Sequence, residues 1–290
     1  MRDGLEDSVL RLPDGRRLGL RHYGDPDGFP ILYFHGHPGS RRDLDFIDPD
    51  HLARDRGIRI IALDRPGYGL STQQPGRQLN DWPHDVMAAV DELGVRRFSV
   101  LGYSGGGPYA VACAAHIPVS RLAHTTLVAG IGPVGSPGQH RSIGWTLYSG
   151  APTLIRRPAA HLSGILAAHV PDRLAATSAR AALPRTDRTV LADPRITAGL
   201  VRTWREAFRS GYQGALSDIE IYTRPWGVEL PAINAPVHVW HGTADRNVPV
   251  SVGRFVAEQL PHGRSTIVAG AGHVSILRGS LGEILTQATA

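Results

Sequence analysis

The chain has 290 residues, of which 42% are hydrophobic and 20% charged, proportions typical of one large globular domain or of one domain with an insertion. Its single cysteine, Cys113, excludes an intrachain disulfide and disfavours a cysteine-based metal site. All 31 basic residues are arginines, scattered singly or in pairs without interleaved aromatics, so we expect no nucleic-acid partner. The sequence contains no apolar run typical of a membrane span or signal peptide, so we expect no membrane partner and a cytoplasmic location.

Short apolar runs alternate with amphipathic segments along the chain. Strands are predicted at residues 8–12, 17–23, 31–34, 58–63, 98–101, 122–128, 237–240 and 266–268, the first two forming a hairpin. Helices are predicted near residues 42–56, 81–93, 106–115, 250–260 and 275–288. Continuous apolar strands that alternate with helices indicate an α/β fold, with a mostly parallel eight-stranded sheet covered on both faces.

Residues 134–230 contain several prolines but no strong strand pattern. We interpret them as a helical lid inserted between two halves of the core, residues 1–133 and 231–290. The segment holds 12 arginines and 7 acidic residues, so it carries the whole excess positive charge of the chain. This charge is either a solvated surface or a feature that attracts an anionic substrate or partner.

One stretch is the most informative about chemistry. The apolar run Phe98–Leu101 leads into Gly102-Tyr103-Ser104-Gly105-Gly106, and a small-residue helix pattern follows. A G-x-S-x-G sequence between a strand and a helix is typical of a sharp turn that exposes a nucleophilic serine hydroxyl. A plain glycine turn is the alternative interpretation. We therefore predict that Ser104 is a nucleophile.

A serine hydroxyl needs a base, and the base needs an acid that fixes its tautomer. His273 follows a predicted strand within a glycine-rich loop, and Asp245 follows the strand that ends at Trp240. Alternatively, His273 and Asp245 are helix-capping residues. Asp218 and Glu220 are rival candidates for the acid. The chain order serine, aspartate, histidine is the one expected for such a sheet. We predict Ser104, Asp245 and His273 as the catalytic residues.

An oxyanion formed at the serine would need two backbone donors. The first is the N–H of Gly105, next to the nucleophile, and the second belongs to the loop His35-Gly36-His37-Pro38-Gly39. Pro38 has no N–H, so the backbone N–H of His37 is the predicted second donor. We expect His35 to brace this loop rather than to react.

These motifs together resemble those of the α/β-hydrolase fold over nearly the whole chain. The matching segments are His35–Gly39, Asp64-Arg65-Pro66-Gly67-Tyr68-Gly69, the Ser104 turn, the Asp245 segment and Gly272-His273. The group that looks most similar carries a lid and includes proline iminopeptidases, epoxide hydrolases, dehalogenases, C–C bond hydrolases and small-molecule esterases. A serine nucleophile argues against dehalogenase and epoxide hydrolase activity. Proline iminopeptidases usually have a second glycine at position 37 and a tryptophan at position 105.

The resemblance implies a serine hydrolase that cleaves an ester, thioester or lactone of a small molecule, and it implies no metal and no organic cofactor. Alternatives are a C–C bond hydrolase or lyase, an iminopeptidase-like enzyme, or a ligand-binding protein with slow turnover. We expect a monomer or a homodimer. The candidate substrate-pocket residues are His35, Tyr103, Trp145, Trp204 and Trp226.

Overall fold

The computed structural model describes residues 7–139, 152–171, 174, 177 and 185–289. Within them, eight strands form one sheet in the order β1-β2-β4-β3-β5-β6-β7-β8. The strands are β1 (Asp7–Arg11), β2 (Arg17–Gly24), β3 (Phe29–Phe34), β4 (Ile58–Leu63), β5 (Phe98–Tyr103), β6 (Leu122–Val128), β7 (Val237–Gly242) and β8 (Gly263–Val268). Strand β2 pairs antiparallel with β1 and β4, whereas the other neighbours are parallel. The predicted fold class, a mostly parallel eight-stranded sheet, is confirmed.

Helices cover the sheet and also occur in the described parts of the long connection between β6 and β7. They are α1 (Asp50–Arg54), α2 (Trp82–Glu92), α3 (Gly107–His116), α4 (Thr153–His169), α5 (Arg185–Val190), α6 (Pro194–Ala207), α7 (Gln213–Tyr222), α8 (Val250–Gln259) and α9 (His273–Gln287). Short 3-10 turns stand at Asp43–Phe46, Leu79–Asp81, Ser104–Gly106 and Leu230–Ala232. No described helix is both long enough and apolar enough to cross a bilayer.

The prediction of one helix over residues 42–56 is wrong. The segment forms a 3-10 turn, Asp43–Phe46, and then the short helix α1. Asp48 between them has a φ of +48°, and Pro49 follows it. A left-handed residue followed by a proline cannot continue a helix, so the backbone changes direction there. The predicted strand at 266–268 is also too short, since β8 begins at Gly263.

Two separate hydrophobic clusters lie on the two faces of the sheet. One contains Val86 of α2, Val111 of α3 and Val256 of α8, all nearly inaccessible to solvent. The other contains Ala53 of α1 and Leu277 of α9. Each central strand has apolar side chains on both faces of the sheet. The parallel strands are therefore continuous hydrophobic runs in the sequence.

The connection between β6 and β7 is called here the inserted segment (residues 134–230); in its described part, helices α4, α5, α6 and α7 are joined by turns and loops, and no strand is present. Helix α6 packs closely against the 3-10 turn Asp43–Phe46, and a methyl group on Gly199 would come within 2.6 Å of Phe46 Cα. Two insertion carboxylates, Glu206 and Asp218, form ion pairs with the core residues Arg41 and Arg65. The segment therefore lies against the core, and its role as a lid stays a prediction.

The fit of the β5–α3 turn onto β3 yields a stability prediction. A methyl group on Gly106 would overlap the carbonyl oxygen of Phe34, which is fixed in the sheet. We expect Gly106→Ala to lower the free energy of unfolding by about 1–3 kcal/mol, the usual cost of overpacking. The measurement is urea unfolding followed by circular dichroism.

The matched control is Gly279→Ala, an exposed position inside α9 with nothing within 4 Å of an added Cβ. Alanine should stabilise the protein there by about 0.5–1 kcal/mol because it loses less backbone freedom on folding. Equal effects of the two substitutions would contradict the proposed close fit.

Candidate active site

Ser104 stands at the carboxyl end of the central strand β5, where the chain turns into α3. Its φ is +50°, a left-handed conformation that a residue with a side chain rarely adopts. The flanking glycines permit the turn, because side chains at Gly102 and Gly106 would collide with the backbone of Gly106 and Phe34 respectively. The side chain of Ser104 is thus held between the ends of β3 and β6.

Three side chains from separate loops meet at this point in a hydrogen-bonded line. The Nε2 atom of His273 lies 2.9 Å from Ser104 Oγ, and its Nδ1 atom lies 2.7 Å from Asp245 Oδ2. The structure thus brings together the three residues that the sequence predicted as nucleophile, base and acid. Because a carboxylate can only accept, Nδ1 carries a proton and neutral His273 can accept the serine proton at Nε2.

Electrostatics favour a basic imidazole. Burial by itself would lower the pKa of His273, but the Asp245 carboxylate and its hydrogen bond outweigh burial and raise this pKa above its usual value of 6.5. The pKa of Asp245 is lowered: burial opposes this shift, but His273 and His241 stabilise the carboxylate more strongly. Asp245 Oδ1 also accepts the backbone N–H groups of Asn247 and Val248, at 2.8 and 2.9 Å.

The backbone of His273 is held by a carboxylate that sequence reasoning missed. Asp187, a fully buried residue of α5, accepts hydrogen bonds from the N–H groups of His273 (2.9 Å), Val274 (3.1 Å) and Ser275 (2.8 Å). These are unpaired donors of the first turn of α9, which a carboxylate stabilises. Asp187 lies 86 residues from His273 along the chain, so no local pattern indicates the contact.

The two predicted oxyanion donors lie side by side. The His37 nitrogen would be 3.2 Å from a methyl group on Gly105, so the amide of residue 37 borders the residue that follows the nucleophile. Gly105 lies in the 3-10 turn Ser104–Gly106 at the start of α3, and the first N–H groups of such a turn have no intrahelical acceptor. The arrangement has the elements of an anion-binding site.

His35 does not line a pocket, which corrects that part of the prediction. Its side chain is completely buried; Nδ1 donates to the Gly36 carbonyl at 2.8 Å, and Nε2 accepts the Arg65 backbone N–H at 3.2 Å. Burial, reinforced by the Arg65 charge, holds the pKa of His35 well below 6.5, so the ring is neutral. His35 therefore braces the loop, as its sequence context also predicted.

The candidate pocket aromatics have different surroundings. The Tyr103 ring lies 5.2 Å from the His273 ring, and its hydroxyl donates to the His273 carbonyl, so it supports the base. Trp204 is half-buried against the second hydrophobic cluster. Trp226 is buried in the first hydrophobic cluster, so the prediction that it lines a pocket is wrong. Trp145 lies outside the described residues.

The rival acid Asp218 has a different role. This completely buried carboxylate of α7 accepts from Arg65 Nη2 at 2.7 Å, Tyr222 at 2.9 Å and Tyr109 at 2.6 Å, and it also pairs with Arg77. Burial alone would raise the pKa of Asp218, but the two guanidinium groups hold it well below its usual value. Asp218 is thus an ionised carboxylate at neutral pH that ties α7 to the core. Among the described residues, no three His, Cys, Asp or Glu side chains cluster as metal ligands would.

Comparison with known proteins supports the fold and the family. The family model for the alpha/beta hydrolase fold matches residues 30–280. The chain belongs to this family. It is 26% identical over 265 residues to a non-heme haloperoxidase of Rhodococcus erythropolis, covering 90% of each protein. It is 33% identical over 122 residues to a non-heme chloroperoxidase of Streptomyces lividans, a match that spans 42% of this chain and only 44% of that protein.

Among solved structures, an esterase from Exiguobacterium antarcticum superposes with a TM-score of 0.71, covering 98% of this chain and 100% of that one. The two sequences are 17% identical, so the likeness concerns the fold. The predicted membership of the α/β-hydrolase fold is therefore confirmed.

The raised pKa of His273 predicts the pH dependence of any reaction that uses it as a base. Protonated His273 cannot accept the serine proton, so kcat/KM for p-nitrophenyl acetate should rise with pH, with a midpoint above 6.5. Asp245→Asn removes the charge that raises the pKa, so the imidazole of this variant should titrate at lower pH, which NMR can follow. A wild-type midpoint below 6.5, or an unchanged midpoint in the variant, would contradict this electrostatic account.

Proposed function

We propose that this protein is a serine hydrolase that cleaves an ester-like bond of a small molecule through an acyl-enzyme on Ser104. The observation that carries the proposal is the hydrogen-bonded line from Ser104 Oγ through His273 to Asp245, at 2.9 and 2.7 Å. The left-handed Ser104 and the adjacent amides of His37 and Gly105 add support. Membership of the alpha/beta hydrolase family agrees with the proposal.

The proposed reaction follows from these positions. His273 Nε2 takes the hydroxyl proton as Ser104 Oγ forms a bond to the carbonyl carbon, and Asp245 stabilises the resulting imidazolium. The amides of His37 and Gly105 stabilise the oxyanion. Collapse of the intermediate breaks the bond to the leaving group, which receives the proton from His273. Water, deprotonated by the same imidazole, then releases the acid and restores the serine.

The surroundings of Gly105 favour an ester-like substrate over an N-terminal peptide. A Cβ at position 105 would lie 2.6 Å from the Tyr222 hydroxyl and 2.7 Å from His37 Cβ, so a tryptophan would need both to move. Proline iminopeptidases usually have that tryptophan, and this sequence has glycine in its place. Iminopeptidase-like, C–C bond hydrolase and slow ligand-binding functions are kept as outcomes of the substrate tests below.

The names of the two curated relatives favour a second candidate activity, the formation of an oxidant from peroxide. An acyl-enzyme attacked by hydrogen peroxide instead of water would release a peracid and free Ser104, and the peracid could then oxidise a halide. The test is bromide oxidation with acetate and hydrogen peroxide. Loss of this oxidation in Ser104→Ala would support the peroxide reaction at the same site, whereas oxidation that persists in the variant would exclude it.

The charge of the inserted segment favours an anionic substrate. Three of its 7 acidic residues, Asp187, Glu206 and Asp218, are bound to donors of the core. Among the described residues of the segment, the exposed surface consequently carries more arginines than carboxylates. We propose that this positive surface attracts acidic esters. The kcat/KM for an acidic ester should then fall as the salt concentration increases, whereas the kcat/KM for a neutral ester of the same length should not change.

Ser104→Ala provides the central test of the proposed function. We expect it to lower kcat for p-nitrophenyl acetate by at least about 10³-fold and to abolish labelling by a fluorophosphonate, because the acyl-enzyme cannot form. The matched control is Ser99→Ala on the same strand, a buried serine whose hydroxyl donates to the Ala288 carbonyl. That variant should be labelled at the wild-type rate.

Near-full activity of Ser104→Ala would refute the proposal. Labelling of Ser104 without turnover of esters, thioesters or lactones would favour the ligand-binding alternative, provided that proline arylamides and vinylogous diketones are not cleaved either. Cleavage of proline arylamides alone would indicate the iminopeptidase-like alternative. Cleavage of vinylogous diketones alone would indicate the C–C hydrolase alternative.

A further inference from the structure

Arg65 contacts the loop His35–Gly39, which carries the proposed oxyanion donor His37. Its guanidinium donates to the carbonyl of His35 and, at 3.0 Å, to the carbonyl of Gly36. The Gly36 carbonyl belongs to the same peptide unit as the N–H of His37, the proposed oxyanion donor. A guanidinium on one end of this peptide therefore fixes the direction of the N–H on the other end.

The neighbouring groups constrain the same loop. The Gly36 carbonyl also accepts from His35 Nδ1 at 2.8 Å, and the Gly36 N–H donates to the buried carboxyl of Asp43 at 2.9 Å. A methyl group on Gly36 would make only ordinary contacts with Tyr103, and no side chain at position 36 restricts rotation of this peptide. Glycine lowers the barrier to such a rotation, and hydrogen bonds must set the orientation instead.

Arg65 is itself held by the inserted segment. Asp218 of α7 accepts from Arg65 Nε at 3.1 Å and from Nη2 at 2.7 Å. The Tyr222 hydroxyl, on the same helix, lies 2.8 Å from the Gly105 carbonyl and 2.9 Å from Asp218 Oδ2. Asp218 is thus linked through Arg65 to the His37 peptide, whereas Tyr222 shares its single hydroxyl proton between Asp218 and the Gly105 carbonyl.

We propose that Arg65, oriented by Asp218, is a positioning residue that aims and polarises the His37 N–H, so that the inserted segment controls oxyanion stabilisation. This inference rests on the proposed function. A charge-assisted hydrogen bond to a carbonyl is stronger than a neutral one, and hydrogen bonds in series strengthen each other by about 10–30%. Removal of one oxyanion donor typically costs about 10²–10³ in turnover, which is the upper limit for a donor that is only misdirected.

The test compares Arg65→Gln with Arg77→Gln. Arg77 is also buried and pairs with Asp218, but its hydrogen bonds go to Asp218, Tyr109 and Gly214. Both variants thus remove one guanidinium from the same carboxylate, and only the first removes donors to the loop. The probes are the trifluoromethyl ketone related to octanoic acid, whose adduct with serine carries an oxyanion, and octanamide, which binds without one.

For Arg65→Gln we expect about a 10–100-fold weaker affinity for the ketone, an equal fall in kcat/KM for p-nitrophenyl octanoate, and an octanamide affinity within about twofold of wild type. Arg77→Gln should change the ketone affinity, kcat/KM and the octanamide affinity by less than about threefold each, even if it lowers the melting temperature as much as Arg65→Gln does. Equal losses in the two variants, or an unchanged ketone affinity in Arg65→Gln, would overturn the inference.

Arg65→Lys keeps the test decisive should the glutamine variant fail to fold. Lysine keeps the charge, but its single ammonium group cannot bond two carbonyls and a carboxylate at once, as the planar guanidinium does. We therefore expect an intermediate loss of ketone affinity, about 3–10-fold. Wild-type affinity in this variant would contradict the inference. Failure of the proposed function is seen separately, as wild-type protein that neither hydrolyses the ester nor is labelled at Ser104.

Discussion

The close approach of the β5–α3 turn to the end of β3 is the constraint on which the site depends. Gly106 lies so near the carbonyl of Phe34 that no side chain fits between them. This contact places the left-handed Ser104 next to the loop that follows β3, and therefore next to the amide of His37. The parallel pairing of β3, β5 and β6 supplies the rigid edge from which these loops extend.

Buried charge forms a second layer of organisation behind this edge. Asp64, fully buried after β4, accepts the Arg41 backbone N–H at 2.7 Å and its guanidinium at 2.8 Å. Burial raises the pKa of Asp64 to about 6 in spite of Arg41, so this carboxyl is costly to keep ionised. Arg41 also pairs with Glu206 of the inserted segment. The core and the segment are therefore joined by buried ion pairs as well as by apolar contacts.

The sequence was sufficient for the sheet, the family and the residues of the hydrogen-bonded line, because each of these has a local signature. Ser104 follows an apolar strand and precedes a small-residue helix, and His273 stands in a glycine-rich loop. Asp187 could not be predicted, since its partners are backbone groups 86 to 88 residues away. Trp226 lies in the first hydrophobic cluster and not in the predicted pocket, because composition alone does not show which aromatic side chains of a segment are buried in the core.

The cap that Asp187 forms on α9 has a consequence for how this fold can diversify. The helix that begins with His273 receives its terminal acceptor from outside the sheet domain. An inserted segment borrowed from a relative would have to bring its own carboxylate to that helix end. The segment and the helix that carries His273 are coupled by this contact, because replacing the segment without its carboxylate would leave the N–H groups of His273, Val274 and Ser275 without their side-chain acceptor.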